Sequence, residues 1–144
     1  MIVVMIVGII SLIAIPIMNS AAGLQVKTAS DMIASDLEYT QNLAITNGST
    51  YSVVFDTAAE SYKIIDSENN IIKNPSKPGI DYIVNFTSDP RLNKVKLESA
   101  FGSKSKVQFD NLGSPDNGGA VVIKAEGNTL IVNVQPVTGY VSIQ

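Results

Sequence analysis

Side chains able to do chemistry are few in this 144-residue chain. It contains no histidine and no cysteine. That removes the usual general base near neutral pH, the commonest metal ligand, and any thiol nucleophile or thiolate metal site. Carboxylates remain. Asp31, Asp36 and Glu38 lie close together, but no partner base stands with them, so a solvated helix face is predicted rather than a catalytic set. Asp110, Asn111, Asp116 and Asn117 crowd the loop "DNLGSPDNGG". Oxygen-rich loops can hold calcium. The spacing D-x-[DN]-x-[DN]-G is absent, however, and a solvated turn is predicted. The chain is expected to catalyse no reaction and to carry no metal or cofactor. Its net charge of −3 and pI near 4.8 leave no basic excess for phosphates, so nucleic acid is not an expected partner.

The elements that would position these groups begin with "MIVVMIVGIISLIAIPIMNSAAGLQ", which has no charged residue. Eighteen helical residues span about 27 Å, close to the roughly 30 Å hydrocarbon core of a bilayer. Met1–Met18 is therefore predicted to be a membrane helix. A cleaved signal would carry a basic flank, absent here, and a buried core helix would need a larger protein around it. Pro16 removes a helical hydrogen bond; it either kinks the segment or ends it. Gly8 and Ser11 allow close approach of neighbouring helices.

From Leu24 the pattern becomes amphipathic. Val26, Ala29, Ile33, Leu37 and Ala44 share one face, with Met32 and Leu43 beside them. Lys27, Asp31, Ser35, Glu38 and Asn42 lie opposite. Asn47-Gly48 is a good stop. After it, the runs "TYSVVFD", "SYKIID", "IDYIVNF", "KVKLES", "KVQFD", "AVVIK", "TLIVNV" and "YVSIQ" read as short strands separated by turns. The predicted fold class is α+β: a long N-terminal helix packed on a C-terminal antiparallel β-sheet domain. Residues 1–23 form the membrane or filament-core helix. Residues 24–144 form the globular domain, with the amphipathic helix at 24–47 and the sheet region at 49–144.

This arrangement resembles the type IV pilin superfamily, and "MIVVMIVGIISLIAIP" is similar to the body of its N-terminal motif. "DLEYTQNLAITNGSTYSVVFD", "VQFDNLGSP" and "IVNVQPVTGYVSI" resemble the GspH/FimT group of minor pseudopilins and minor pilins. That includes a Thr-Gly-x-Val ending at Thr138, Gly139 and Val141. The resemblance implies a structural subunit of a type II secretion pseudopilus or type IV pilus. It would be held as a single pass in the bacterial inner membrane before assembly, with its globular domain in the periplasm or outside the cell. It implies packing through Met1, Ile2, Val3, Val4, Met5, Ile6, Val7, Gly8, Ile9, Ile10, Ser11, Leu12, Ile13, Ala14, Ile15 and Pro16. The implied partners are other pilin or pseudopilin subunits, the inner membrane, and secreted cargo or an outer-membrane secretin. The family's Gly-Phe-Thr-Leu-Ile-Glu-like stretch, with its prepilin cleavage site, methylated N-terminus and glutamate, does not precede Met1. The sequence is therefore expected to begin partway into the mature helix. Tyr140 and Ser142 stand where DNA-uptake members carry arginines. The alternative from another class is an exported soluble β-domain binding protein with a cleaved N-terminal signal.

Overall fold

The computed structural model describes residues 21–144. Helix α1 (Ala21–Asn47) is followed by eight strands. They are β1 (Tyr51–Asp56), β2 (Ser61–Ile65), β3 (Ile83–Asn85), β4 (Lys96–Ala100), β5 (Lys106–Phe109), β6 (Gly119–Ala125), β7 (Asn128–Val134) and β8 (Val141–Ile143). A 3-10 turn, Gly102–Lys104, links β4 to β5.

The helix follows the predicted pattern closely. Val26, Ala29, Ile33, Leu37 and Ala44 are buried, whereas Lys27, Asp31, Ser35, Glu38 and Asn42 are exposed. Lys27 and Asp31 pair across one turn at 2.5 Å. The helix runs through the boundary drawn between residues 23 and 24, and Ala22 is buried in the core. At the C-terminus, Gly48 takes φ 61°. Its N–H donates to Ile45 O at 3.4 Å, and Ser49 N donates to Ala44 O at 3.2 Å. These are the two hydrogen bonds of a Schellman stop, which needs a left-handed residue at that place.

The strands form two four-stranded antiparallel sheets, not one. Their orders are β3-β2-β1-β5 and β4-β6-β7-β8. Strand β5 leaves its sequence neighbour β4 and pairs with β1, while β4 pairs with β6. Alternation points one face of each sheet inward: Val53, Phe55, Val107 and Phe109 from the first, Val121, Ile123, Val132 and Val134 from the second. Helix α1 packs against β1 and β5 of the first sheet and β6, β7 and β8 of the second, so one core serves all three layers. Phe101, in the left-handed region at φ 48°, sets its ring 5.8 Å from Phe55 and so ties the two sheets together.

Glu60 makes a second tie between the sheets. It ends the β1–β2 turn at φ 51°. Its Oε2 accepts the N–H of the buried Leu97 at 2.5 Å, and its backbone carbonyl accepts Phe86 N at 2.9 Å. The β6–β7 hairpin closes through Glu126 (φ 47°) and Gly127 (φ 89°), the two left-handed residues a two-residue hairpin favours.

Candidate functional site

The predicted packing segment, Met1 to Pro16, lies outside the described residues. Among the described residues, no helix is long and apolar enough to cross a membrane.

The acidic loop is built as a turn. Asp110 Oδ1 accepts the backbone N–H groups of Leu112 and Ser114, both at 2.9 Å. Asp116 Oδ1 accepts Gln108 N at 2.9 Å, and its other oxygen faces Lys104 Nζ at 3.9 Å. The carboxylates hold the loop's own backbone. No group of three His, Cys, Asp or Glu side chains among the described residues is placed to hold a metal ion.

Asp31 and Glu38 lie on the solvated helix face, but Asp36 does not. It is half-buried and accepts two phenols, Tyr62 Oη on Oδ2 and Tyr82 Oη on Oδ1, each at 2.6 Å. This corrects the expectation of a solvated side chain. Asp36 is three residues from Ile33 and seven from Ala29, which puts it on the border of the buried stripe. Burial raises its carboxyl above the ordinary 3.8, and the two phenol hydrogen bonds only partly oppose that shift. Burial also pushes the fully buried Tyr62 phenol well above its usual 10, with the Asp36 charge adding to the shift. Tyr82 rises for the same reasons and stacks on Tyr39 with ring centroids 5.9 Å apart. A groove lined by Met32, Lys77, Tyr82, Asp89 and Arg91 borders this cluster. Asp89 is held below its usual range by the Arg91 guanidinium, 2.7 Å away. Asp36 therefore clamps α1 to β2 and to the segment entering β3.

A second clamp joins the far end of α1 to the end of the chain. Gln41 Nε2 donates to Gly113 O at 2.8 Å and to Thr138 O at 3.0 Å. Gly113 (φ 82°) and Gly139 (φ 68°) are both buried and both left-handed. A Cβ on Gly113 would meet Ile45 Cδ1 at 2.8 Å; one on Gly139 would meet Gln41 Nε2 at 2.5 Å and Gly113 O at 2.9 Å. That gives a physical reason for the Thr138-Gly139 pair: a left-handed backbone pressed against a helix side chain and a carbonyl. Around the clamp, Ile45, Leu112, Val137 and Tyr140 stand exposed at 49%, 78%, 76% and 66%. Sequence reading found the glycine but not Gln41, whose partners lie 72 and 97 residues away.

An arrangement of one helix on two antiparallel sheets of this kind is known. The chain superposes on the minor pseudopilin EpsH of the Vibrio cholerae type 2 secretion system with a TM-score of 0.62 and 12% identity. The match covers 83% of this chain and 96% of that one. The fold is pilin-like. The type IV minor pilin FimU of Pseudomonas aeruginosa gives a TM-score of 0.57 at 10% identity, over 82% of this chain and 91% of that one. A second EpsH structure gives 0.56 at 11% identity, covering 83% and 92%. No family model matches the sequence, and no curated protein matches it. At these identities the likeness shows the fold. The pilin-like domain thus consists of α1 and both sheets, with the two clamps fixing the helix at its middle and at its C-terminal end.

Proposed function

We propose that this chain is a minor pilin or pseudopilin subunit of a type IV pilus or type II secretion pseudopilus. Its uncharged N-terminal segment holds it in the inner membrane and then packs among other pilin-type subunits. Its two-sheet domain lies outside the bilayer and makes contacts with subunits, cargo or secretin. The observation that carries this reading is the match over nearly the whole of a minor pseudopilin, with α1 placed directly after an apolar segment of membrane length. The arrangement of the domain supports a structural role: its half-buried acid is spent on two phenols and its acidic loop on backbone. The competing reading is an exported soluble β-domain binding protein. Filaments sheared from the producing cells distinguish them. A subunit is expected in the filament or membrane fraction together with other pilin-type chains. A chain found only free in the periplasm would overturn the reading.

A further inference from the structure

An edge strand carries backbone N–H and C=O groups that no neighbouring strand takes. The edges here are β3 and β5 of the first sheet and β4 and β8 of the second. Three of them are closed from within. On β3, Ile83 N–H donates to Asp81 O at 2.9 Å, and Asn85 O accepts Ser88 Oγ at 3.2 Å. On β4, Glu60 holds the Leu97 N–H, the register shifts between Leu97 and Ser99, and Lys96 and Glu98 stand exposed. On β5, Gln108 N–H donates to Asp116 Oδ1 at 2.9 Å, and its carbonyl accepts Asp116 N–H at 2.8 Å.

The β8 edge has none of these. Gln144 exchanges both hydrogen bonds with Ile131, each at 2.8 Å, and Tyr140 O accepts Gln135 N–H at 2.9 Å. These residues, and Ser142 between them, turn their backbone groups toward β7. Alternation therefore points the N–H and C=O of Val141 and Ile143 away from the sheet. Among the described residues nothing hydrogen-bonds to them. No charge and no proline occurs from Val137 to Gln144, and the β7–β8 register is unbroken. The usual defences of a sheet edge are missing.

We propose that the β8 edge binds an extended, uncharged segment of another protein, which joins the second sheet as an added strand. The backbone dictates the ligand, because outward donors and acceptors at strand spacing are matched by another strand. Side chains refine it. Val141 and Ile143 share the inner face with the buried Val132 and Val134, while Ser142 lies on the outer face. The segment that fits carries apolar residues on one face and neutral polar ones on the other. With no charge from Gly127 to Gln144, the edge offers an acid or a lysine nothing to pair with. A second copy does not fit. Its β3, β4 and β5 edges are closed, which leaves β8 on β8, an antiparallel pair. Strand β8 starts beside Gln41 and runs toward Ile131, whereas Gly23 lies beside Asn128, so β8 runs opposite to α1. Such a pair sets the two helix N-termini at opposite ends, an arrangement closed to two subunits held in one bilayer. That exclusion rests on the subunit reading; the open edge does not.

Hydrogen exchange on the full chain in detergent micelles tests this, with a short capped peptide of alternating threonine and valine as the probe. In the free chain, the Val141 and Ile143 amides are expected to exchange fast and those of Ser142 and Gln144 slowly. At nine-tenths occupancy the peptide should slow Val141 and Ile143 about tenfold. The same peptide N-methylated at every residue should have no effect. Ile143→Pro removes one outward N–H and keeps the β7 hydrogen bonds of Ser142 and Gln144. It is expected to abolish the slowing at Val141 while Ser142 stays protected. The proposal is overturned if Val141 and Ile143 are as protected as Ser142 in the free chain. It is equally overturned if the peptide leaves them unchanged up to its solubility limit, or if the methylated peptide slows them as much. A disulfide between two Ser142→Cys chains in native membranes would also overturn it, because β8 on β8 sets Ser142 opposite its own copy. Absence of the chain from filaments and membranes would instead overturn the subunit reading and leave the exchange result standing.

Discussion

Gly139 lies so close to Gln41 that a single added carbon would displace the amide. The Cβ position is 2.5 Å from Gln41 Nε2 and 2.9 Å from Gly113 O, with φ at 68°. Replacing Gly139 with Ala is expected to cost about 2–4 kcal/mol, from the left-handed backbone and the broken Gln41 hydrogen bonds. Gln41→Ala alone should cost about 1–2 kcal/mol. The double variant should cost less than the sum, because both changes break the same clamp. Gly48→Ala supplies the comparison: φ is 61° but nothing lies within 4 Å, so about 1 kcal/mol is expected. Chemical denaturation of the four variants checks these values. Strict additivity of Gln41→Ala and Gly139→Ala would show that the two residues do not act together.

The Asp36 cluster predicts a hierarchy. Asp36→Ala leaves the two phenols of Tyr62 and Tyr82 without their acceptor and should destabilise by about 2–4 kcal/mol. Asp36→Asn keeps the shape and can accept one phenol while donating to the other, so its cost near neutral pH should be distinctly smaller.

The same residue predicts a pH dependence. The folded carboxyl is raised above the ordinary 3.8, so the folded state binds the proton more tightly than the unfolded chain. Its stabilising contribution is fully present below 3.8 and is lost as pH rises through the raised folded value. Native stability relative to Asp36→Asn should therefore increase as pH falls across that window. Asp66 and Asp89 run the other way. Both are held low, Asp66 by the N–H groups of Asn70 and Glu68, so their contribution is lost as pH falls. The difference between native chain and Asp36→Asn removes that opposing trend. A difference that shrinks on acidification would contradict the account.

Glu60 is expected to matter more than an ordinary turn residue. Glu60→Ala strands the N–H of the buried Leu97 and should cost about 1–3 kcal/mol. Glu60→Gln retains an acceptor there and should recover most of the loss, as thermal unfolding of the two variants would show.

The loop of Asp110 and Asp116 should be indifferent to divalent cations. Its carboxylates already accept Leu112, Ser114 and Gln108 N–H groups. Calcium and a chelator are both expected to leave Tm unchanged. A rise in Tm that grows with calcium concentration would mean the loop is a metal site.

Much of this fold is legible in the residues where local rules decide. The buried stripe of α1 follows from the spacing of Val26, Ile33 and Leu37. Its end follows from Asn47-Gly48, and the β6–β7 hairpin from Glu126-Gly127. What local rules miss is set by long-range pairing. Nothing in "KVKLES" and "KVQFD" says that β4 and β5, neighbours in sequence, belong to different sheets. Asp36 reads as solvated because its two partners, Tyr62 and Tyr82, arrive from 26 and 46 residues away. Gln41 is silent for the same reason. Isolated exposed Ile45, Leu112, Val137 and Tyr140 become a patch only once the two glycine loops close on the helix.

The most direct test of the central claim is the intact mass and N-terminal sequence of the native protein taken from cell membranes. The subunit reading predicts that the uncharged segment Met1–Leu24 is retained in the mature chain. A mature chain starting near Ala22 or Gly23 would mean a cleaved signal and would contradict it.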